Sequence, residues 1–211
     1  MLGKHHPKVF PKALSRDDIR LQVVKPKSGL ASGVYFYDTF TGANYVDILT
    51  NHTPDINTLG NSWVKLRGVG YFNIESNQAF IGNGPSTDFG VYTPVLGAYN
   101  VSFVKGTGAG TDYFYLSFRS TSDLALRWSL GYDGSQSLLY EESTLRGSLA
   151  GVISVGSVVE IKFVSDQATL FIAGVQTALT YSCPHKGAWY SIGSWVASTA
   201  GYFDNFKLAV A

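Results

Sequence analysis

The sequence predicts an all-β protein: a two-sheet antiparallel jelly-roll sandwich preceded by an extended amino-terminal arm. Three observations carry this. The composition joins 23 glycines and 14% aromatic residues to only 15% charged residues, the profile of a domain with many strands and turns. Short runs with apolar alternation recur, separated by clusters of Gly, Asp and Ser. No segment sustains a helical period. With 211 residues and 45% hydrophobic content, the chain supports one sizeable core.

The arm is read as residues 1–33. Pro7, Pro11 and Pro26 break any continuous helix there, although Ser15 is placed to cap a helical turn over 15–24. Lys4, Lys8, Lys12, Arg16, Arg20, Lys25 and Lys27 face only Asp17 and Asp18, so residues 1–30 carry a net +5 while the remainder carries −4. A basic arm on a mildly acidic body is expected to dock on an acidic partner through these seven side chains. Nucleic acid is the weaker candidate, because the arm has no interleaved aromatic beyond Phe10. The first twenty residues lack the apolar core of a secretory signal, and no run approaches the roughly 20 apolar residues of a membrane span.

The domain is read as residues 34–211. It opens on DTFTGANYVDILTNHTPDINTLGNSW (38–63), where Thr53-Pro54-Asp55 is a turn signature, Gly60-Asn61 a second turn, and Trp63 an entry to the core. Strands are expected over 99–106, 111–120, 124–133 and 136–143. The clearest hairpin is VVEIKFVSDQATLFIAGV (158–175): Val159, Ile161 and Phe163 share one face, Ser165-Asp166-Gln167 turns, and Leu170 and Ile172 resume that face. Segments 187–198 and 201–210 close the chain, for about ten to twelve strands at the spacing of a sandwich. The glycines of KGTGAGTD (105–112) lack a closing Lys-Ser/Thr and read as a hairpin loop.

The opening DTFTG…HTPD…W, the middle VEIKFVSDQATLFIAGV and the closing YFDNFKLAV resemble concanavalin A-like (laminin-G/glucanase type) sandwich domains over residues 36–211. More narrowly, they resemble versions found in bacteriophage virion and tail proteins. The resemblance implies a non-enzymatic virion structural protein, a capsid decoration or cement protein anchored by its arm to other virion proteins, with homo-oligomers a natural consequence of a symmetric particle. Its alternative is a carbohydrate-binding, lectin-like module or a tail-fibre attachment protein for host-surface glycans. In such a sandwich the first and last strands pair, which places Phe40 and Phe206 at the seam and brings Asp38 near Asp204. Those two carboxylates either cap strand ends or contribute to a structural Ca2+ site, as many domains of this type have; no cofactor is required.

Catalytic chemistry finds little footing. The glucanase signature Glu-x-Asp-x-x-Glu is absent, and the adjacent Glu141-Glu142 fall on opposite faces of a strand. His5, His6, His52 and His185 have no metal or catalytic spacing, and no Gly-x-Ser-x-Gly elbow is present. The single cysteine, Cys183, cannot form an intrachain disulfide and reads as an inert thiol of a chain that folds in a reducing compartment or does not need disulfides. Glycan contact would need exposed aromatics beside polar groups: Tyr132, Tyr140, Trp189 and Trp195 are the candidates, with Asp133, Gln136 and Asn205 as neighbours. Trp128 lies on an apolar run and reads as core.

Overall fold

The structure is a computed structural model that describes residues 33–58, 60, 62–82, 87–92, 99–107, 113–119, 127–164, 167–182, 189–194 and 201–210. The basic residues of the arm, Lys4 to Lys27, together with Cys183, His185 and Trp195, lie outside the described residues, as does the side chain of Trp128.

Sixteen strands and one helical turn are described: β1 (Val34–Asp38), α1 (Ile48–Asn51), β2 (Ile56–Asn57), β3 (Val64–Arg67), β4 (Tyr71–Glu75), β5 (Gln78–Gly82), β6 (Thr87–Tyr92), β7 (Tyr99–Lys105), β8 (Tyr113–Arg119), β9 (Arg127–Asp133), β10 (Gln136–Glu141), β11 (Thr144–Ala150), β12 (Val158–Val164), β13 (Gln167–Ile172), β14 (Val175–Ser182), β15 (Trp189–Ser194) and β16 (Gly201–Val210). They form two antiparallel sheets. One has nine strands in the order β14-β13-β12-β7-β16-β1-β2, with β5 also paired to β16 and β4 to β5; the other has seven, in the order β11-β10-β9-β8-β15-β6-β3. The all-β sandwich that the sequence predicts is what the chain forms.

Local chemistry explains the hairpins. Ser76 and Asn77 both adopt positive φ (54° and 56°) between β4 and β5, and Ala173-Gly174 do the same (50° and 79°) between β13 and β14. Two successive left-handed residues match the twist of tight antiparallel ribbons. The hairpin read at 158–175 has its expected register, Val159 opposite Ile172, Ile161 opposite Leu170 and Phe163 opposite Ala168. Asp47 caps the single helical turn through Leu49 N (3.0 Å).

One expectation is overturned. KGTGAGTD is not a hairpin loop: β7, on one side of it, pairs with β12 and β16, whereas β8, on the other, pairs with β9 and β15. The two strands that flank it belong to different sheets.

The first and last long strands pair, with Asp38 opposite Phe206. Behind this seam the core is aromatic: Trp63 meets Phe206 at 4.9 Å, Phe72 at 5.1 Å and Phe36 at 5.6 Å between ring centroids. Phe72 stacks on Phe89 at 4.6 Å, and Phe118 meets Phe163 edge-on at 4.9 Å, tying the two sheets together. Burial of each such ring contributes about 2–3 kcal/mol.

Candidate functional site

Two polar constellations stand out. The first is at the seam, where fully buried Asp38 ends β1. Its Oδ1 accepts from Phe40 N (2.8 Å) and lies 2.7 Å from His52 Nε2, and its Oδ2 accepts from Trp63 Nε1 (2.7 Å). A carboxylate has no hydrogen to give, so His52 Nε2 carries the proton of that bond. The backbone bond holds Phe40 in the left-handed region (φ 51°), and Phe40 stacks on His52 at 6.2 Å. Thr39 anchors outward, its N and Oγ1 both donating to Asp55 Oδ2 at 2.8 and 2.7 Å.

These contacts decide how Asp38 fits a metal. Its oxygens already accept from three N–H donors, and those lone pairs cannot also serve a cation. Half-buried Asp204 accepts from Asn205 N (2.7 Å). Among the described residues no group of three or more His, Cys, Asp or Glu is arranged to hold a metal ion. Both carboxylates of the pair accept N–H groups here, Asp38 from Phe40 N and Trp63 Nε1 and Asp204 from Asn205 N.

Burial pushes the Asp204 carboxyl above its ordinary value of 3.8; the Asn205 N–H opposes this and the charge of Asp38 adds to it. A raised folded-state pKa means the contribution favours folding below the unfolded value and is lost as pH rises through the folded one. At pH 7 the ionised group is therefore a burden. Asp204→Asn is expected to raise Tm at pH 7, with the gain disappearing below about pH 4; thermal melts across pH check this.

The second constellation lies on the outer face of the seven-stranded sheet. Phe89 and Val91 of β6, Tyr190 and Ile192 of β15, Leu116 and Phe118 of β8, and Leu130 of β9 enter the core. The alternate residues therefore share the opposite face. Registers set them in rows. One row sets Tyr92 opposite Trp189. The next runs Gly90, Ser191, Ser117, Ser129, Tyr140, and a third Arg67, Asp88, Gly193, Tyr115, Gly131, Leu138.

The centre of this face is thus a floor of Gly and Ser. Ser117 and Ser191 are fully buried and share a hydrogen bond at 2.5 Å. A bulge between Lys65 and Arg67 turns Arg67 over the face, as bulges commonly re-aim a side chain. Gly193 brings no side chain in between, and Arg67 Nη2 donates to Tyr115 OH (3.1 Å), with Arg67 Nε 3.8 Å from buried Asp88 Oδ1. At the rim, Tyr92 is 38% exposed and Trp189 half-buried, their rings 5.0 Å apart and tilted by 49°.

Gly90 is required on this floor. A Cβ there would lie 2.6 Å from Leu66 Cδ1 and 2.9 Å from the Tyr190 carbonyl oxygen. The second contact is with backbone that cannot step aside, so Gly90→Ala is expected to cost about 1–3 kcal/mol, read as a lower denaturation midpoint.

Of the residues singled out from sequence for glycan contact, Trp189 and half-buried Tyr140 lie on this face. Tyr132 does not. It is fully buried, its hydroxyl accepts from Ile153 N (3.0 Å) and donates to Gly134 O (2.9 Å), and Lys105 Nζ sits 5.0 Å over its ring. Tyr132 staples the loop after β11 and takes no part in a surface. Asp133 holds its own turn: Gln136 Nε2 and N and Ser135 N and Oγ all donate to it, and these bonds, that of the Gln136 side chain first, lower its pKa to about 2. Asn205 takes the hydroxyl hydrogen of Tyr37 on the other sheet. Arg67, Asp88, Tyr92, Tyr115 and the serines escaped the sequence reading, although the period-two alternation of TDFGVY (87–92) carried the signal for Asp88 and Tyr92.

No protein-family model matches the sequence, and no curated protein matches it. Solved structures do. The carbohydrate-binding module CBM66 from Bacillus subtilis superimposes with a TM-score of 0.52 at 15% identity, covering 70% of this chain and 94% of that one. SCLam, a non-specific endo-β-1,3(4)-glucanase from family GH16, gives 0.56 at 10% identity, covering 83% and 90%. The exoplasmic/lumenal domain of VIP36 in its Ca2+/Man2-bound form gives 0.51 at 10% identity, covering 80% and 87%. At such identities the likeness is one of fold: this chain is a concanavalin A-like β-sandwich. The narrower kinship with phage virion proteins gains no support from them.

Proposed function

We propose that the domain is a carbohydrate-binding module whose ligand docks on the outer face of the seven-stranded sheet. The observation that carries this reading is the Tyr92–Trp189 pair at the rim of a Gly/Ser floor with Arg67 and Tyr115 beside it. A sugar offers C–H faces that pack on aromatic rings and hydroxyls that need fixed donors and acceptors. Two proteins of the same fold support the reading by their own names, one a carbohydrate-binding module and one in a Ca2+/Man2-bound form. A glycan array on the full chain tests it: binding of at least one glycan class is expected, and none at millimolar ligand overturns it.

The module is proposed to be non-enzymatic, although a glucanase shares the fold. The glucanase carboxylate signature is absent from the sequence, Arg146 pairs with Glu141 at 2.7 Å, and Glu142 occupies the β10–β11 turn at φ 55°. A bound glycan should release no reducing ends on prolonged incubation; steady release contradicts this.

A second reading concerns where the module works, and the charge asymmetry of the chain favours it. The net +5 of residues 1–30 suits a tether to an acidic partner, which the sequence resemblance makes a virion, with the sandwich displayed for capsid decoration or host-glycan attachment. Removal of residues 1–30 is expected to abolish particle incorporation and leave the sandwich folded, since its core is drawn from residues 36–208. Normal incorporation of the truncated protein would exclude the tether. Calcium is proposed to be dispensable for folding, so a chelator should leave Tm unchanged.

A further inference from the structure

We infer that the outer face of the nine-stranded sheet carries a second site, one for a quaternary ammonium group such as that of choline. It lies on β4, β5 and the start of β16, on the other sheet from the glycan face, and does not rest on the carbohydrate reading. Phe72 and Ile74 of β4, Ala79 and Ile81 of β5 and Phe203 of β16 are buried in the core, so the alternate residues Tyr71, Glu75, Phe80 and Tyr202 share the outer face. Phe80 stands opposite Tyr202, and Tyr71 opposite Gly82. With no side chain at Gly82 to fill the space, Tyr71 packs on Phe80 at 5.5 Å, and Phe80 meets Tyr202 at 4.9 Å on its other side. A Cβ at Gly82 would lie 2.6 Å from the Phe80 ring and 2.9 Å from that of Tyr71. Tyr71 is 41% exposed, and Tyr45, held beside β4 by its N–H on Ile74 O (2.7 Å), is 76% exposed.

The charge of this patch points to a cation. Half-buried Glu75 reaches across β5 and takes the hydroxyl hydrogen of Tyr202 on its Oε2 (3.2 Å). No ion pair among the described residues involves Glu75; Lys162 of the same sheet pairs with Glu160 instead. Burial first, and then the Glu75 charge, raise the Tyr202 hydroxyl above its ordinary value of 10.0, with Tyr71 and Tyr45 near enough to add to it. The phenol therefore stays a donor to the carboxylate. Cross-strand packing accounts for Phe80 against Tyr202, but not for a carboxylate without a cationic partner amid exposed rings. Ring faces attract cations, and the carboxylate supplies the counter-charge. A primary ammonium brings three N–H donors that each need an acceptor. A quaternary ammonium brings none, which suits a patch made mostly of rings.

The test titrates the full chain with choline, followed by the shift of its methyl protons, against the neutral analogue in which a tert-butyl group replaces the trimethylammonium. Choline is expected to bind saturably and about tenfold or more tightly than the analogue, with affinity falling as salt rises. Glu75→Gln is expected to erase that preference while leaving Tm within a few degrees. Tyr71→Leu, which keeps an apolar side chain but removes the ring, should weaken choline, whereas Tyr202→Phe keeps the ring and should keep the preference. Sedimentation with phosphatidylcholine vesicles, reversed by free choline, would identify a lipid headgroup as the source; binding of free choline without sedimentation would identify a small solute. Equal or tighter binding of the neutral analogue, a preference that survives Glu75→Gln, or no saturable choline binding overturns the inference.

Discussion

Asp38→Ala is expected to lower the unfolding free energy by about 4 kcal/mol, because each of the three N–H groups it satisfies costs about 1–3 kcal/mol when left buried without a partner. Trp63 Nε1, Phe40 N and His52 Nε2 are those groups, all within 2.7–2.8 Å of the carboxylate. The damage does not stop there. Phe40 needs its Asp38 bond to hold a left-handed backbone, and Trp63 is the hub of the seam's aromatic cluster. For a domain of this size the loss corresponds to a Tm drop of about 10 °C. Asp38→Asn is expected to fall between, since its amide keeps one acceptor and turns two donors toward donors. Asp55→Ala, which removes only the exposed bonds to Thr39, should cost under about 1 kcal/mol. Urea denaturation of the three variants checks the order; an Asp38→Ala loss no larger than that of Asp55→Ala would show that the seam does not hang on this carboxylate.

The second large effect is on binding. Trp189→Ala is expected to weaken the best glycan by tenfold or more, about 1.4 kcal/mol, the scale of one lost aromatic contact. Tyr92→Ala should follow in the same direction, and the pair should be less than additive because the two rings pack on one another at 5.0 Å. Both side chains sit at the rim, so stability should change little. Tyr132→Phe is the contrasting control. It removes a buried hydroxyl that bonds Ile153 N and Gly134 O, so it should lower Tm and leave affinity intact. Isothermal titration of the three variants separates the two kinds of residue.

The contrast between Tyr132 and Tyr140 shows what the sequence could and could not reveal. Both are tyrosines in alternating β runs eight residues apart, and composition offers no way to rank them. Their fates diverge through register: Tyr132 is opposite Ser137 and faces the core, while Tyr140 is opposite Ser129 and shares the outer face. Alternation made the 158–175 hairpin readable because its pairing is local. The seam of Asp38 with Phe206 was legible for a different reason, since closing a sandwich brings its first and last strands together. KGTGAGTD announced a change of direction but not a change of sheet, because sheet membership is fixed by distant partners. β3 is hard to read locally because it is short and bulged and Gly68 and Gly70 follow it closely. The Arg67–Tyr115 contact spans 48 residues and several strands, and no local pattern encodes it.

The outer face of the seven-stranded sheet is proposed as the glycan surface. The most direct measurement is a glycan titration of the full chain followed by backbone amide NMR. Saturable shifts are expected to centre on Tyr92, Trp189, Ser191, Ser117 and Tyr140, with the nine-stranded sheet unmoved. Shifts confined to the nine-stranded sheet or to residues 1–30, with Trp189 and Ser191 silent, would contradict it.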